Sequence, residues 1–522
     1  MTYKSYQGLK AKSRSSNWGK LIVVDKKDKV LRLESRDKCQ EGKGILHRAF
    51  SVYIFNNEGK LLIQKRSKYK ELWPFYWAPS CCSHPTKEED YVKAGERRLK
   101  QELGFTVPLR MVGKFVYQAQ YKNVGSEYEM CAILVGRYNG KVKENPKEVA
   151  QFKWVDPYKI DLKKDYYAPW FKKGLKLLLE INIKNKKEIS SFLNKTVKQV
   201  DPVIKKLLEK YIDKKFHKLI DYQAFTGGKR LRPALTIVSS NVLGGSKNIV
   251  YPAAGLEILH NSTLIVDDII DHSELRRKKP TVWFKFGQSI AECMGLDYLA
   301  ASFEGANRSN KPAEISEIFA NTLKTIIDGE MFDILFEQSG REKESFIKNN
   351  RFKKVSKKDY YNMIGKKTAV LAQACCEVGG INAKASAKQL KVLKNYGFNL
   401  GLAFQVRDDV LDIFGEKDKF GKKIGKDIEE RKLGNIVILL ALSKLRGVDR
   451  NKLLKIMRKK DINNKDIKQA IKLIKKTNSK EEACDLANEF ADKARQGLEE
   501  LPNNKWNSLL NNFVDFVVQR ES

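Results

Sequence analysis

The chain lacks any run of about 18 apolar residues, so no segment reads as a membrane-spanning helix. Its first residues, Met1-Thr2-Tyr3-Lys4-Ser5-Tyr6-Gln7, are polar and hold no apolar signal core, so a cytoplasmic protein is expected. Cysteine is scarce: eight in 522 residues are too few for a disulfide scaffold. Cys81-Cys82 and Cys375-Cys376 are neighbours without a regular zinc spacing, and reduced thiols are expected. Acidic residues are also short, with 63 Asp and Glu against 100 Lys and Arg, a formal charge of +37. Nucleic acid would reward such an excess. The basic residues are nevertheless spread along the whole chain, with no nucleic-acid motif. The expectation is therefore no nucleic acid; small diphosphates and, peripherally, an anionic membrane surface fit better with the motifs that follow.

What is present divides into two textures. An apolar fraction of 42% and this length suit about two to four domains with sizeable cores. Up to residue 182, short β-rich runs such as Phe50–Phe55 and Leu61–Ile63 flank a turn at Asn56–Lys60. Thr86-Lys87-Glu88-Glu89 reads as a capping box that opens a helix ending at Gly104. Further strands are expected over Gly113–Ala119 and Met130–Arg137, giving an α+β domain. A polar linker is expected at 183–188. From Ile189 to the end apolar residues recur at helical spacing, as in Val203, Leu207 and Tyr211 or Leu390, Leu393 and Gly397. That half reads as an all-α bundle able to enclose a deep cavity.

Two aspartate clusters dominate the α half, Asp267-Asp268-Ile269-Ile270-Asp271 and Asp408-Asp409-Val410-Leu411-Asp412. Positions i and i+4 share a helix face, so Asp267 projects with Asp271 and Asp408 with Asp412. Carboxylates so clustered repel unless cations lie between them, and Mg²⁺ with phosphate oxygens satisfies this best. A solvated acidic face is the plainer reading of one cluster alone. Basic residues surround both: Gly227-Gly228-Lys229-Arg230-Leu231-Arg232-Pro233, Arg276-Arg277, Lys367-Thr368, Lys422 and Lys432.

With these motifs in this order, residues 189–522 resemble the trans-polyprenyl diphosphate synthases. The resemblance implies an all-α isoprenoid synthase bundle, usually a homodimer, in which Asp267, Asp271 and Asp408, with Asp412 in the second motif, hold Mg²⁺. It implies that Arg276, Lys367, Thr368, Gln405, Lys422 and Lys432 bind the allylic diphosphate, and that Lys229, Arg232, His260 and Arg277 bind isopentenyl diphosphate. In that family a bulky aromatic four or five positions before the first Asp stops chain growth. Here those positions are the small Thr263 and Ser262. One helical turn, about 5.4 Å, is roughly one isoprene unit, so a product of about twenty carbons or more is expected. A terpene cyclase is the weaker reading, because cyclases of this architecture typically carry an Asn/Ser/Glu triad at the second cluster.

In the N-terminal half, Trp73-Pro74-Phe75-Tyr76-Trp77-Ala78-Pro79-Ser80-Cys81-Cys82-Ser83-His84-Pro85 sets a thiol two residues from a histidine, among aromatics. Ser83, Glu89 and Arg97 keep the spacing of a Nudix box, while Arg98 and Gln101 replace carboxylates that hydrolysis would need. Together with Leu46–Ser51, Gln64–Ser67 and Glu127-Tyr128-Glu129, these residues resemble a type 1 isopentenyl-diphosphate isomerase over about residues 20–180. The resemblance implies an acid–base pair, Cys82 and Glu129, on opposite faces of the substrate. Trp170 would face the cation and Tyr117 would take a further active-site position. A second divalent metal, Zn²⁺ or Mn²⁺, would sit on His47, His84, Glu127 and Glu129. Arg66 and Lys70 would contact the diphosphate, and Glu102 its Mg²⁺. A cation intermediate suits a dry pocket with a π face. One departure stands out: the family has another histidine ligand several residues before His47, and here that region holds Cys39 and Gln40. An inactive Nudix-like binding module is the alternative reading of this half.

Overall fold

A computed structural model describes residues 19–415 and 424–520. The chain divides into two compact units, Met1–Lys184 and Asn185–Ser522. In the first, β1 (Leu21–Val24), β2 (Val30–Glu34), β3 (His47–Phe55) and β4 (Leu61–Arg66) form a mixed sheet, with α1 (Arg36–Gln40) between β2 and β3. The sheet also takes in β5 (Trp77–Ala78), β6 (Cys81–Ser83), β7 (Arg110–Tyr121), β8 (Gly125–Arg137) and β9 (Val149–Val155). β3 lies antiparallel to β6 and parallel to β8, whose far edge takes β7. The strands expected from sequence fall inside β3, β4, β7 and β8.

α2 (Tyr91–Leu103) begins later than the capping box suggested. Glu89 does reach back to the Thr86 N–H at 3.0 Å, but this closes a turn; Asp90 is the cap, accepting from the Lys93 N–H at 2.8 Å. The stop is where it was expected: Gly104 is left-handed at φ 78°, a conformation costly for any residue with a Cβ. Residues 183–188 are helical, inside α3 (Pro169–Glu209), and not an extended linker. Their Lys, Asn and Glu are tolerable helix formers, so polarity alone does not break the helix.

The second unit is helical around one continuous core. The elements that matter are α4 (Leu231–Asn241), α5 (Val250–Ile270), α6 (Gln288–Asn307), α7 (Pro312–Leu335), α8 (Val370–Asn382), α9 (Ala387–Phe414) and α10 (Lys505–Gln519). Tyr211 does not join this core; it lies past the end of α3 and is 89% exposed. α5 and α6 approach closely at paired glycines, where a Cβ on Gly305 would lie 2.9 Å from the Gly255 Cα. Between α7 and α8 the chain makes a single π-helical turn, Gly365–Ala369. Such turns are rare and concentrate at functional sites. No helix among the described residues is long and apolar enough to cross a membrane.

Candidate functional site

In the first unit, strand register assembles the site. His47 on β3 lies opposite Glu129 on β8, which lies opposite Tyr117 on β7; Ser51 pairs with Cys82 on β6. Side chains two apart share a face, so Glu127 and Glu129 project together. His47, His84, Glu127 and Glu129 offer ligand atoms all within 4.8 Å of one another. The His47 Nδ1 lies 2.7 Å from the Ile45 carbonyl, which fixes the ring and turns Nε2 inward, 3.2 Å from the His84 Nε2. Two imidazole nitrogens and two carboxylates, with the Glu127 Oε2 buried and unpartnered, fit a divalent cation.

Burial pulls His47 and His84 down to about 4, so both imidazoles are neutral at pH 7. Burial, then the neighbouring Glu129 carboxylate, pushes Glu127 up to about 8. A cation must displace that proton. Burial raises Glu129 as well, so the metal-free site holds protons that the cation must displace, and affinity for Zn²⁺ should rise with pH between about 6 and 8. Competition titration against a chelator from pH 6 to 9 checks this; a flat profile would contradict it.

The proposed acid–base residues meet the same pocket. The Tyr117 hydroxyl donates to Glu129 at 2.5 Å. Burial raises the Cys82 thiol despite the guanidinium of Arg66, whose Nη1 lies 3.6 Å from the sulfur. Trp170 stands edge-on to Trp73 at 5.3 Å and tilted to Tyr117 at 6.1 Å, its indole N–H buried and unpartnered. Arg66 sits 5.1 Å from the Trp170 ring centroid. It also donates to the carbonyls of Leu72 and Trp73, at 2.9 and 3.1 Å. Those bonds hold a loop in which Trp73 and Phe75 adopt φ of 48° and 64°. Lys70 pairs with Glu148, and Glu102 accepts from Gln64 at 2.9 Å and from Arg98 at 2.5 Å. Arg98, read from sequence only as a lost carboxylate, thus stands in this charged group.

In the second unit both acidic clusters lie at the C-terminal ends of their helices, Asp267 and Asp268 in the last turn of α5 with Asp271 as its cap, and Asp408, Asp409 and Asp412 on α9. The helix dipole disfavours anions there, so cations must compensate. Arg276 donates from Nη2 to Asp267 at 2.8 Å and from Nε to Asp268 at 2.8 and 2.9 Å. It sits on a hairpin strand, Leu275–Arg276, beyond the helix. Lys367, on the π turn, lies 3.4 Å from Asp267, 2.6 Å from Glu330 and 2.8 Å from Asp333. Lys432 lies 3.0 Å from Asp271 and 3.1 Å from Asp333. Burial opposes charge on Asp267, but Lys367, Arg276 and Lys432 outweigh it and hold the carboxyl far below its usual range. Burial raises Glu330 to about 7 against the pull of Lys367.

Lys426 lies between the second cluster and the end of the first. Its backbone N–H donates to Asp412 at 3.0 Å, while its Nζ donates to the Ser273 hydroxyl at 3.0 Å, within electrostatic reach of Asp267 and Asp271. Asp412 accepts as well from the Asp427 N–H at 3.3 Å, so its carboxylate also organises the backbone beside the second cluster. Thr368 donates to Gln405 at 2.9 Å, and Gln405 to Asp409 at 2.9 Å. Asp408 pairs with Arg520, whose guanidinium lies 3.7 Å from the Phe404 ring centroid. Lys422 falls outside the described residues.

Nearby, burial and then the charges of Arg232 and Arg277 push His260 well below its usual range, so it is neutral beside two cations. Arg277 donates to the Gly227 carbonyl. Gly228 has φ 135°, and a Cβ there would come within 3.0 Å of the Arg277 Nη1. Lys229 is exposed, 5.8 Å from the Phe516 ring centroid. Arg230, between the expected ligands, is structural: it binds Asp201 at 2.7 Å, Glu257 at 3.2 Å and the Ala224 carbonyl at 2.8 Å. Sequence reasoning missed Glu330, Asp333, Lys426 and Asp427. The acids at 330 and 333 carry a usable signal, ionisable residues three apart, and so on one face, near the end of α7.

These two sites define a prenyl-transfer class of enzyme joined to a Nudix-type domain. A family model, Polyprenyl synthetase, matches residues 213–474, and a second, NUDIX domain, matches residues 45–178. The chain belongs to the polyprenyl synthetase family, and its N-terminal unit is related to isopentenyl-diphosphate isomerases. The geranylgeranyl diphosphate synthase of Saccharolobus solfataricus is 35% identical over 346 residues, 64% of this chain and 98% of that protein. The isopentenyl-diphosphate Delta-isomerase 2 of Photorhabdus laumondii is 40% identical over 157 residues, 29% of this chain and 88% of that protein. Among solved structures, the geranylgeranyl pyrophosphate synthetase of Pyrococcus horikoshii superposes with a TM-score of 0.58 at 30% identity, covering 64% of this chain and 99% of that one.

Proposed function

We propose that the chain is bifunctional: it isomerises isopentenyl diphosphate to dimethylallyl diphosphate and extends allylic diphosphates with isopentenyl diphosphate to an all-trans product of about twenty carbons or longer. The single observation that carries this reading is the convergence of Cys82, Glu129, Tyr117 and Trp170 at one pocket, in the same chain as two aspartate clusters with Lys426 between them.

In the isomerase unit the half-buried Cys82 thiol and the Glu129 carboxyl exchange protons with opposite faces of the five-carbon substrate. Tyr117 orients Glu129, and the Trp170 face stabilises the tertiary cation. Arg66 and Lys70 receive the diphosphate, and Glu102 would hold a Mg²⁺ on it. A divalent cation on His47, His84, Glu127 and Glu129 supplies a fixed positive charge at this site.

In the synthase unit Arg276, Lys367 and Lys432, with Thr368 and Gln405, meet the departing diphosphate, and its charge is stabilised as the allylic C–O bond ionises. Asp267, Asp271 and Asp408 would hold Mg²⁺, which would neutralise the diphosphate further. Arg232, Arg277, Lys229 and His260 hold isopentenyl diphosphate, whose double bond attacks the cation. Proton loss then leaves a chain five carbons longer.

Isopentenyl diphosphate supplied alone tests the whole reading, with products identified by mass spectrometry. Prenyl diphosphates of about twenty carbons or more should accumulate. If none form until dimethylallyl diphosphate is added, the N-terminal unit is an inactive binding module. Product length has its own test at Ser262, whose hydroxyl donates to the Gly295 carbonyl of α6 at 2.9 Å. Ser262→Phe should shorten the main product by at least one five-carbon unit. An unchanged distribution would contradict it.

The synthase unit is also proposed to pair as a homodimer. Large apolar side chains stand exposed on α6 (Leu296, 69%; Ile290, 37%) and on α7 (Ile327, 49%; Met331, 52%). Light scattering should give twice the 59.9 kDa chain mass, and Leu296→Glu should lower it toward one chain. A wild-type monomer would dismiss the dimer.

A further inference from the structure

We propose that Gln40 is a positioning residue of the N-terminal metal centre: its amide grips Glu127 by one carboxylate oxygen and leaves the other for the cation, so the centre closes with four protein ligands. This rests on the metal-centre part of the function proposed above.

Gln40 is the last residue of α1 and is 9% exposed. Its Nε2 donates to the Glu127 Oε1 at 2.7 Å, a bond between residues 87 apart in sequence. The Glu127 Oε2 has no hydrogen-bond partner and lies 3.7 Å from the His47 Nε2, on the side of the two imidazoles. The carboxylate is thus divided, one oxygen for the amide and one for the centre. Orientation of the amide follows from charge. A Glu127 bound to a cation is ionised and only accepts, so the N–H₂ group must face it; turning the amide oxygen inward would set oxygen against oxygen. Gln40 therefore cannot grip Glu127 and serve as a ligand through the same face.

The backbone keeps Gln40 where it is. A Cβ on Gly125, at the start of β8, would lie 3.1 Å from the Gln40 carbonyl, and one on Gly44 would lie 3.2 Å from the Cys39 carbonyl. The neighbouring thiol is not a competing donor. Cys39 is fully buried, packed with Leu21 and Val23, and burial raises it to about 11, far from the thiolate that binds metals. The sequence left Cys39 and Gln40 as equal occupants of this region; the structure assigns it to Gln40.

Cobalt titration of the full chain without substrate provides the test, read both as affinity in chelator competition and as the visible spectrum at saturation. The His47→Ala chain supplies the background from sites elsewhere. Gln40→Met keeps the side-chain volume and removes the donor. Its Co²⁺ affinity should fall by roughly 10- to 100-fold, as for other groups that orient a ligand. Its saturated spectrum should keep the wild-type band positions. Affinity within about twofold of wild type would overturn the proposal. So would a changed spectrum, which would make Gln40 itself a ligand. Gln40→His provides a second measure should the Met variant fold poorly. An added imidazole should shift the bands toward higher coordination, and a spectrum identical to wild type would refute the four-ligand centre. Tight, Gln40-dependent metal binding without isomerisation would instead sink the functional reading and leave this inference standing.

Discussion

Replacing Cys82 by alanine should cut the conversion of isopentenyl to dimethylallyl diphosphate by about 10²- to 10⁴-fold, the range for a lost acid–base group. Prenyl transfer should stay at its wild-type rate once dimethylallyl diphosphate is supplied. The thiol sits in a wall of the pocket, paired across β3 to Ser51 and 3.6 Å from Arg66, so its loss removes few packing atoms. A collapse of both activities would mean that the substitution acts on folding and not on chemistry. Isotope exchange from deuterated water into isopentenyl diphosphate separates the two outcomes, because exchange needs the pocket's proton transfers and not the synthase unit.

Gly329→Ala should have the converse effect. A Cβ at Gly329 would lie 2.8 Å from the Lys367 Cα and closer still to its backbone N, where no flexible side chain can yield. The π turn must then move, and with it Lys367 and Thr368. A displacement of about 1 Å at groups that hold a reacting diphosphate costs on the order of 10²-fold. The loss should fall on prenyl transfer and on the allylic KM, with isomerisation unchanged. Wild-type kinetics would show that the position of the π turn does not matter.

Local signals carried much of this fold into the sequence, and the failures have identifiable causes. The strands at 50–55 and 130–137 are legible because their runs are β-rich, and α5 because acids interrupt an apolar helix at i and i+4 spacing. The start of α2 was misjudged because a reciprocal Thr86–Glu89 contact stabilises a turn as readily as a helix. Tyr211 has the right spacing from Leu207, but the helix has already ended at Glu209.

At the sites, residues with motif neighbours were legible, and residues brought in by tertiary packing were not. Lys426 connects Asp412, by its backbone N–H, to Ser273 just past the first cluster, by its side chain, which no spacing encodes. Asp412 is placed by periodicity on the face of Asp408, but that the chain folds back so that Lys426 and Asp427 donate their N–H groups to it is not written in the spacing. Gln40 could be located only when α1 was seen beside β8, because its partner is 87 residues away.

The most direct test is a crystal structure of the chain with Mn²⁺ and an unreactive allylic diphosphate analogue, read by anomalous scattering. The account predicts metal peaks at Asp267 and Asp271 and at Asp408, all contacting the phosphate oxygens of a single ligand. Metal at one cluster only, or the two clusters serving separate ligands, would contradict it.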